Sequence, residues 1–154
     1  MSGIDKWLLP CALLLLAAGP WVERTDAELD TALKATCNAA TASNKPVLLE
    51  FSAPWCGDCT RLKQLETQAP LASVLSRVER LTIDVGRFNR HTSLLSHFKV
   101  GAIAHWVVLA PTDCATPVTT WPVRASQTFE PAHGKEGPRT APAIAAWLEG
   151  SLTP

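Results

Sequence analysis

The 154-residue chain has no excess charge of either sign, no internal repeat and no low-complexity tract. It also has no apolar run as long as the roughly 20 residues of a comfortable membrane span. Each absence excludes something. Fourteen Lys and Arg balance fourteen Asp and Glu for a formal net charge of +0, which argues against a nucleic-acid partner or a polybasic membrane surface. Of five cysteines only one pair stands at C-x-x-C spacing, and no second C-x-x-C or C-x-x-H pair is there to complete a zinc site with it. The length suits one core of ordinary size.

What is present centres on Trp55-Cys56-Gly57-Asp58-Cys59. Residues 46–52 form a continuous apolar, β-prone run that predicts a buried strand, and residues 60–66, with leucines three apart, predict the opening of a helix. A strand that feeds a helix through C-x-x-C suits thiol–disulfide exchange. At a helix N-terminus the first cysteine lies over unpaired backbone N–H groups and the positive end of the macrodipole, and both favour the thiolate. Cys56 is therefore the expected nucleophile. Cys59, one turn further in, is within reach of a mixed disulfide on Cys56 and is the expected resolving thiol.

From residue 45 to residue 109 the chain resembles the thioredoxin family. The stretches 51–59, Phe-Ser-Ala-Pro-Trp-Cys-Gly-Asp-Cys, and 83–90, Ile-Asp-Val-Gly-Arg-Phe-Asn-Arg, are similar to exported bacterial thioredoxin-like proteins in particular. The general likeness is to periplasmic modules that pass electrons to oxidised proteins, such as the C-terminal domain of the membrane thiol:disulfide interchange reductase. The resemblance implies an α/β thioredoxin-like fold, a mixed central β-sheet flanked by helices on both faces. It also implies catalysis by Cys56 and Cys59 with no cofactor and no metal, and substrate contacts from Trp55, Gly57, Asp58, Ala104 and His105.

Glu50 stands six residues before Cys56, where thioredoxins carry a buried acid. A desolvated carboxyl there is expected to hold its proton more tightly than usual and to exchange it with Cys59 during resolution; the alternative is a head group that snorkels to the strand end. Asp58 takes the place of a family proline. Its charge suits a helix first turn but opposes a thiolate on Cys56, and so favours the reducing direction. Ala104 stands where the family has a cis-proline. Because a cis bond before alanine costs about 3 kcal/mol, the expectation is a trans Ile103–Ala104 peptide and a reshaped loop, with His105 and Trp106 either shielding the cysteines or serving as packing residues.

The N-terminus is distinct. Residues 1–22, with an apolar run from Trp7 to Val22, read as a signal peptide or an N-terminal membrane anchor, and residues 25–154 as the thioredoxin-like domain. Pro20 directly after the small residues Ala17, Ala18 and Gly19 leaves cleavage open, and Cys11 reads as filler of the apolar run. Export allows structural disulfides, so a bridge between Cys37 and Cys114 is an open alternative to two separate thiols. The remaining elements are expected as helices at 26–43, 91–98 and 140–152, with 71–78 either a short helix of its own or the continuation of the active-site helix after Pro70. Strands are expected at 80–85 and 105–110, with an antiparallel partner at 117–123 and a loop at 126–139. Trp121 and Trp147 are expected in the core, and His91, His97 and His133 have no metal-ligand spacing.

The favoured function is that of a periplasmic or otherwise exported thiol:disulfide oxidoreductase. It would reduce disulfide-bearing proteins and be recharged by a membrane or soluble dithiol electron donor. Two alternatives stand beside it: a binding or assembly module of the same fold without turnover, and a metal-binding protein that uses the same cysteines, across a dimer for instance.

Overall fold

β1 (Val47–Ser52) is buried at all six positions and forms the spine of the molecule. The computed structural model describes residues 19–129 and 139–153. On one side β1 pairs in parallel with β2 (Glu79–Asp84), and on the other antiparallel with β3 (His105–Leu109), which in turn pairs antiparallel with β4 (Val123–Thr128). The sheet order is β2-β1-β3-β4. β3 is also buried at every position, so both faces of the central strands are covered, as their unbroken apolar sequences require. The helices that cover them are α1 (Asp26–Ser43), α2 (Gly57–Leu65), α3 (Leu71–Leu75), α4 (Thr92–His97) and α5 (Ala141–Leu152). This is a thioredoxin-like fold with a mixed four-stranded sheet. Among the described residues no helix is long and apolar enough to cross a membrane.

Local chemistry fixes the ends of the elements. α1 starts with a capping box: the Thr25 hydroxyl accepts from Glu28 N–H while the Glu28 carboxylate accepts from Thr25 N–H at 2.7 Å, an arrangement worth about 1 kcal/mol. The helix stops at Asn44, which takes the left-handed conformation that ends many helices. Leu29, Leu33, Cys37 and Ala40 form its buried stripe. Thr140 caps α5 by accepting from Ala143 N–H at 3.3 Å. Trp106 meets Phe129 at a ring distance of 5.1 Å and Phe129 meets Trp147 at 5.7 Å, so the aromatic side chains close the core between β3 and α5. Trp121 is buried as well.

The segment before α1 is tied to the sheet. Trp21 donates its indole N–H to Ser52 Oγ at 2.7 Å, Arg24 donates to the Thr82 carbonyl at 3.3 Å, and Glu23 pairs with Arg90. The leader expected at residues 1–22 lies outside the described residues up to position 18, as does His133.

Several expectations are corrected. The partner of β3 is Val123–Thr128 rather than 117–123, and Val118–Thr120 is a single 3-10 turn. Proline at 117 and at 122 removes ladder donors from the expected stretch, whereas 123–128 is free of proline. β4 therefore takes in residues 126–128 of the expected loop, and positions 130–138 of it lie outside the described residues. The Ile103–Ala104 peptide is cis, not trans. Tertiary pairing overrides the local preference here, because Ala104 is buried, its carbonyl accepts from Phe129 N–H at 2.8 Å, and β3 begins at the next residue. Ala69–Pro70 is also cis. Cys37 and Cys114 form a disulfide that joins α1 to the segment after β3.

Candidate active site

β1 delivers the chain into a short turn, Ala53-Pro54-Trp55, and α2 starts at Gly57 with Cys56 as its N-cap. Cys56 takes the extended conformation of a cap (φ −85°, ψ 114°), and its sulfur accepts from Cys59 N–H at 3.1 Å. The nucleophile expected from the sequence thus occupies the place of a capping hydroxyl, where one of the helix's unpaired donors points at it. Cys56 and Cys59 are joined by a disulfide and have Cα atoms 5.2 Å apart. Cys59 is 1% exposed and Cys56 is 6% exposed, so the second cysteine is the more enclosed.

A groove of about 250 Å³ opens at the dithiol, lined by Trp55, Cys56, Gly57, Asp58, Phe88, Gly101, Ala102 and Ile103. Trp55 and Phe88 are the large exposed hydrophobic residues beside it, with ring centroids 6.3 Å apart. The Arg87 guanidinium lies 5.5 Å from the Trp55 ring, within cation–π range. Trp55 Nε1 donates to the Gly86 carbonyl at 2.7 Å. The loop holding that carbonyl is anchored by Asp84, whose two oxygens accept from Gly86 N–H and the Arg90 guanidinium, each at 2.8 Å. Gly86 has φ +57°, and a Cβ there would meet Asn89 Oδ1 at 2.4 Å, so the turn depends on glycine.

Of the expected substrate contacts, Trp55, Gly57 and Asp58 line the groove and Ala104 and His105 do not. His105 is buried in the sheet, with Nδ1 2.7 Å from Thr128 Oγ1 and Nε2 2.7 Å from Ser126 Oγ, and its ring sits edge-on to Phe51. Trp106, 1% exposed, is a core residue.

Glu50 is buried, and its surroundings reverse the expected direction of its titration. Desolvation raises its pKa, but the charges of Arg80 and Lys63, together with hydrogen bonds from Lys63 and Thr82, outweigh burial and hold it below the ordinary carboxylate value. Arg80 Nε donates to Glu50 Oε1 at 2.6 Å, Thr82 Oγ1 donates to Oε2 at 2.8 Å, and Lys63 Nζ contacts Oε2. The snorkelling alternative is also excluded, because the residue is only 1% exposed. The same two cations hold Glu66: Arg80 Nη2 donates to its Oε2, and Lys63 Nζ is 3.3 Å from its Oε1. Burial first, and the nearby Glu50 charge second, raise the Glu66 pKa in spite of Arg80 and Lys63. Lys63, Glu66 and Arg80 carried no role in the sequence reading. Lys63 alone gives a local sign, since it follows Cys59 by one helical turn. Among the described residues no three His, Cys, Asp or Glu side chains converge as a metal site.

A family model described as thioredoxin-like matches residues 28–111. A comparison with curated proteins returns no significant match. Among solved structures, a disulphide isomerase from Xylella fastidiosa Temecula1 is 25% identical, covers 84% of this chain and 94% of its own, and superposes with a TM-score of 0.63. The C-terminal domain of DsbD from Neisseria meningitidis, in the oxidised form, is 20% identical, covers 84% of this chain and 99% of its own, and has a TM-score of 0.59. A thioredoxin from Thermus thermophilus is 15% identical over 75% of this chain and 79% of its own, at 0.54. The last two likenesses speak for the fold.

Proposed function

The chain belongs to the thioredoxin-like family and is a thiol:disulfide oxidoreductase of it, and on that premise we propose that it reduces protein disulfides in an exported, oxidising compartment. The observation that supports this most is the Cys56 sulfur held at the helix N-cap with Cys59 N–H pointing at it. In the reduced protein the Cys56 thiolate attacks one sulfur of a substrate disulfide. A Cys56–substrate bond forms, the substrate S–S bond breaks, and the departing sulfur leaves as a thiolate that takes up a proton. Cys59 gives up its proton and attacks Cys56, which forms the intramolecular disulfide and expels the second substrate thiolate. Two electrons pass from the protein dithiol to the substrate. A membrane or soluble dithiol donor returns them.

Reduction is favoured over oxidation by Asp58 in the first turn of α2, whose charge opposes a thiolate at Cys56 and so withholds from the reduced pair the stabilisation that ionisation would give it. Trp55, Gly57 and Asp58 are the proposed substrate contacts on the groove, with Cys56 and Cys59 catalytic. Glu50 is proposed as an ionised support beneath the pair. The Cys37–Cys114 bridge is what an exported chain would carry, since such bonds persist in oxidising compartments. The Xylella neighbour is described as a disulphide isomerase, an activity that uses the same first attack. Insulin reduction driven by a thiol donor tests the reading: wild-type protein should accelerate it and Cys56→Ser should not. A wild-type chain that accelerates nothing while remaining folded overturns it.

A further inference from the structure

Cys59 and Lys63 of α2 and Glu66, the residue that caps its C-terminus in helical conformation, follow at intervals of four and three residues, which places them in one stripe along the helix. The stripe faces the sheet: Cys59 and Glu66 are buried, and the Lys63 side chain is 20% exposed. Beneath it β1 contributes Glu50, and β2 contributes Arg80 and the Thr82 hydroxyl, which stands directly opposite Glu50 in the register. These are the charged and polar groups that face Glu66 from its own helix and from the two strands. Two cations meet two carboxylates, so the cluster is electrically balanced only when both acids are ionised.

The two acids are not equivalent. Glu50 accepts hydrogen bonds on both oxygens, from Arg80, Thr82 and Lys63. Among the described residues Glu66 accepts on Oε2 alone and its buried Oε1 accepts no hydrogen bond, although Lys63 Nζ stands within ion-pair distance of it. A carboxylate with an unsatisfied buried oxygen beside a second carboxylate is the one that takes up a proton. Once it does, the cluster gains one unit of positive charge, about two helical turns, or roughly 10 Å, from Cys59.

Building on the reading of the pair as a thiol–disulfide site, we propose that Glu66 is a positioning residue of that site: by gaining or losing a proton it sets the charge that the Glu50–Lys63–Arg80 cluster presents one to two turns along the helix from Cys59, and so how readily the dithiol ionises. A balanced cluster leaves the thiols to the helix terminus and Asp58 alone. A cluster with one positive charge in excess favours the thiolate. The reactivity of the pair is thereby coupled to a group that touches neither sulfur.

The test is the pH dependence of iodoacetamide alkylation at Cys56 in the reduced protein, read peptide by peptide. Glu66→Gln fixes the excess positive charge and is expected to lower the midpoint by about 0.3 to 1 pH unit; Lys63→Met removes a cation and is expected to raise it by a similar amount. Lys63→Arg should restore the wild-type midpoint. An unchanged or raised midpoint in folded Glu66→Gln overturns the proposal, as does an unchanged midpoint in Lys63→Met, which carries the test by itself if Glu66→Gln does not fold. The midpoint is measurable whether or not the protein reduces insulin. An inert wild-type chain therefore refutes the functional reading, while an invariant midpoint in an active one refutes this inference.

Discussion

Trp55 is held by Gly86: the indole N–H donates to the glycine carbonyl across 2.7 Å and fixes the ring that flanks the dithiol to the loop following β2. The ring nevertheless stays 47% exposed, so this bond orients a surface and does not bury one. Orientation of the ring and openness of the dithiol are separate properties, and substitution should separate them.

Trp55→Ala is expected to raise the KM for a protein disulfide several-fold while changing the rate with a small disulfide such as oxidised glutathione much less, because only the larger substrate needs the aromatic wall. Steady-state kinetics on the two substrates decide it. Parallel losses on both would place Trp55 in the chemistry and not in docking. Gly86→Ala, whose Cβ would collide with Asn89 Oδ1, should cost about 1–2 kcal/mol in denaturant unfolding.

Replacing the two cysteines separately should give different products. Cys59→Ser, mixed with an oxidised protein substrate, is expected to accumulate a mixed disulfide through Cys56 that survives non-reducing electrophoresis, because the sulfur that would release it is gone. Cys56→Ser should accumulate none, since Cys59 is 1% exposed. Trapping through Cys59 instead would exchange the two roles.

Glu50 and Glu66 predict opposite pH effects on stability. A carboxyl whose folded pKa is lowered, as at Glu50, contributes stability above its unfolded pKa and loses it as pH falls through the folded value. At Glu66 the folded pKa is raised, so the folded state binds the proton more tightly, and stability falls as pH rises from the unfolded value through the folded one. Thermal midpoints on acidification, with the disulfides intact, should therefore first rise and then fall. Glu66→Gln should remove the rise, and Glu50→Gln should weaken the fall. At neutral pH Glu50→Gln should cost roughly 2–3 kcal/mol, less than for a fully enclosed pair because the Lys63 and Arg80 side chains are 20% and 32% exposed. Equal destabilisation by the two variants would contradict this division.

The Cys37–Cys114 bridge closes a loop across a sequence separation of 77. Converting both cysteines to alanine should lower unfolding stability by about 2–4 kcal/mol and leave insulin reduction near wild type, since neither residue lines the groove at the dithiol. A loss of activity at unchanged stability would instead tie this bridge to the site.

Elements carried by local pattern were legible in the sequence. The alanine-rich stripe of Leu29, Leu33 and Cys37 gives α1 its bounds, and the apolar run before Trp55 gives β1. β4 was not legible, because Val-Arg-Ala-Ser-Gln-Thr is a polar edge strand with little burial at any position, and hydrophobic alternation cannot reveal it. The dithiol itself was readable from spacing. The cluster around Glu50 was not, because it depends on the register that sets Glu50 against Thr82 and brings Arg80 beside it, a relation between segments some thirty residues apart. Expecting Glu50 to be a protonated acid followed from burial alone; the two cations that reverse it come from α2 and β2. The Ile103–Ala104 peptide failed for a related reason, since a local conformational preference gave way to pairing with Phe129.

The bond from Trp21 to Ser52 bears on where the working unit begins. Ser52 is the last residue of β1, at the entrance to the turn that presents Cys56, and its hydroxyl is satisfied from a residue ahead of the first helix. Proteolytic trimming that spares every helix and strand but cuts after Trp21 would leave both disulfides and the sheet in place and still strip a partner from the base of that turn. The smallest fragment that keeps the dithiol in its described surroundings therefore starts at Trp21, five residues ahead of the first residue of regular secondary structure.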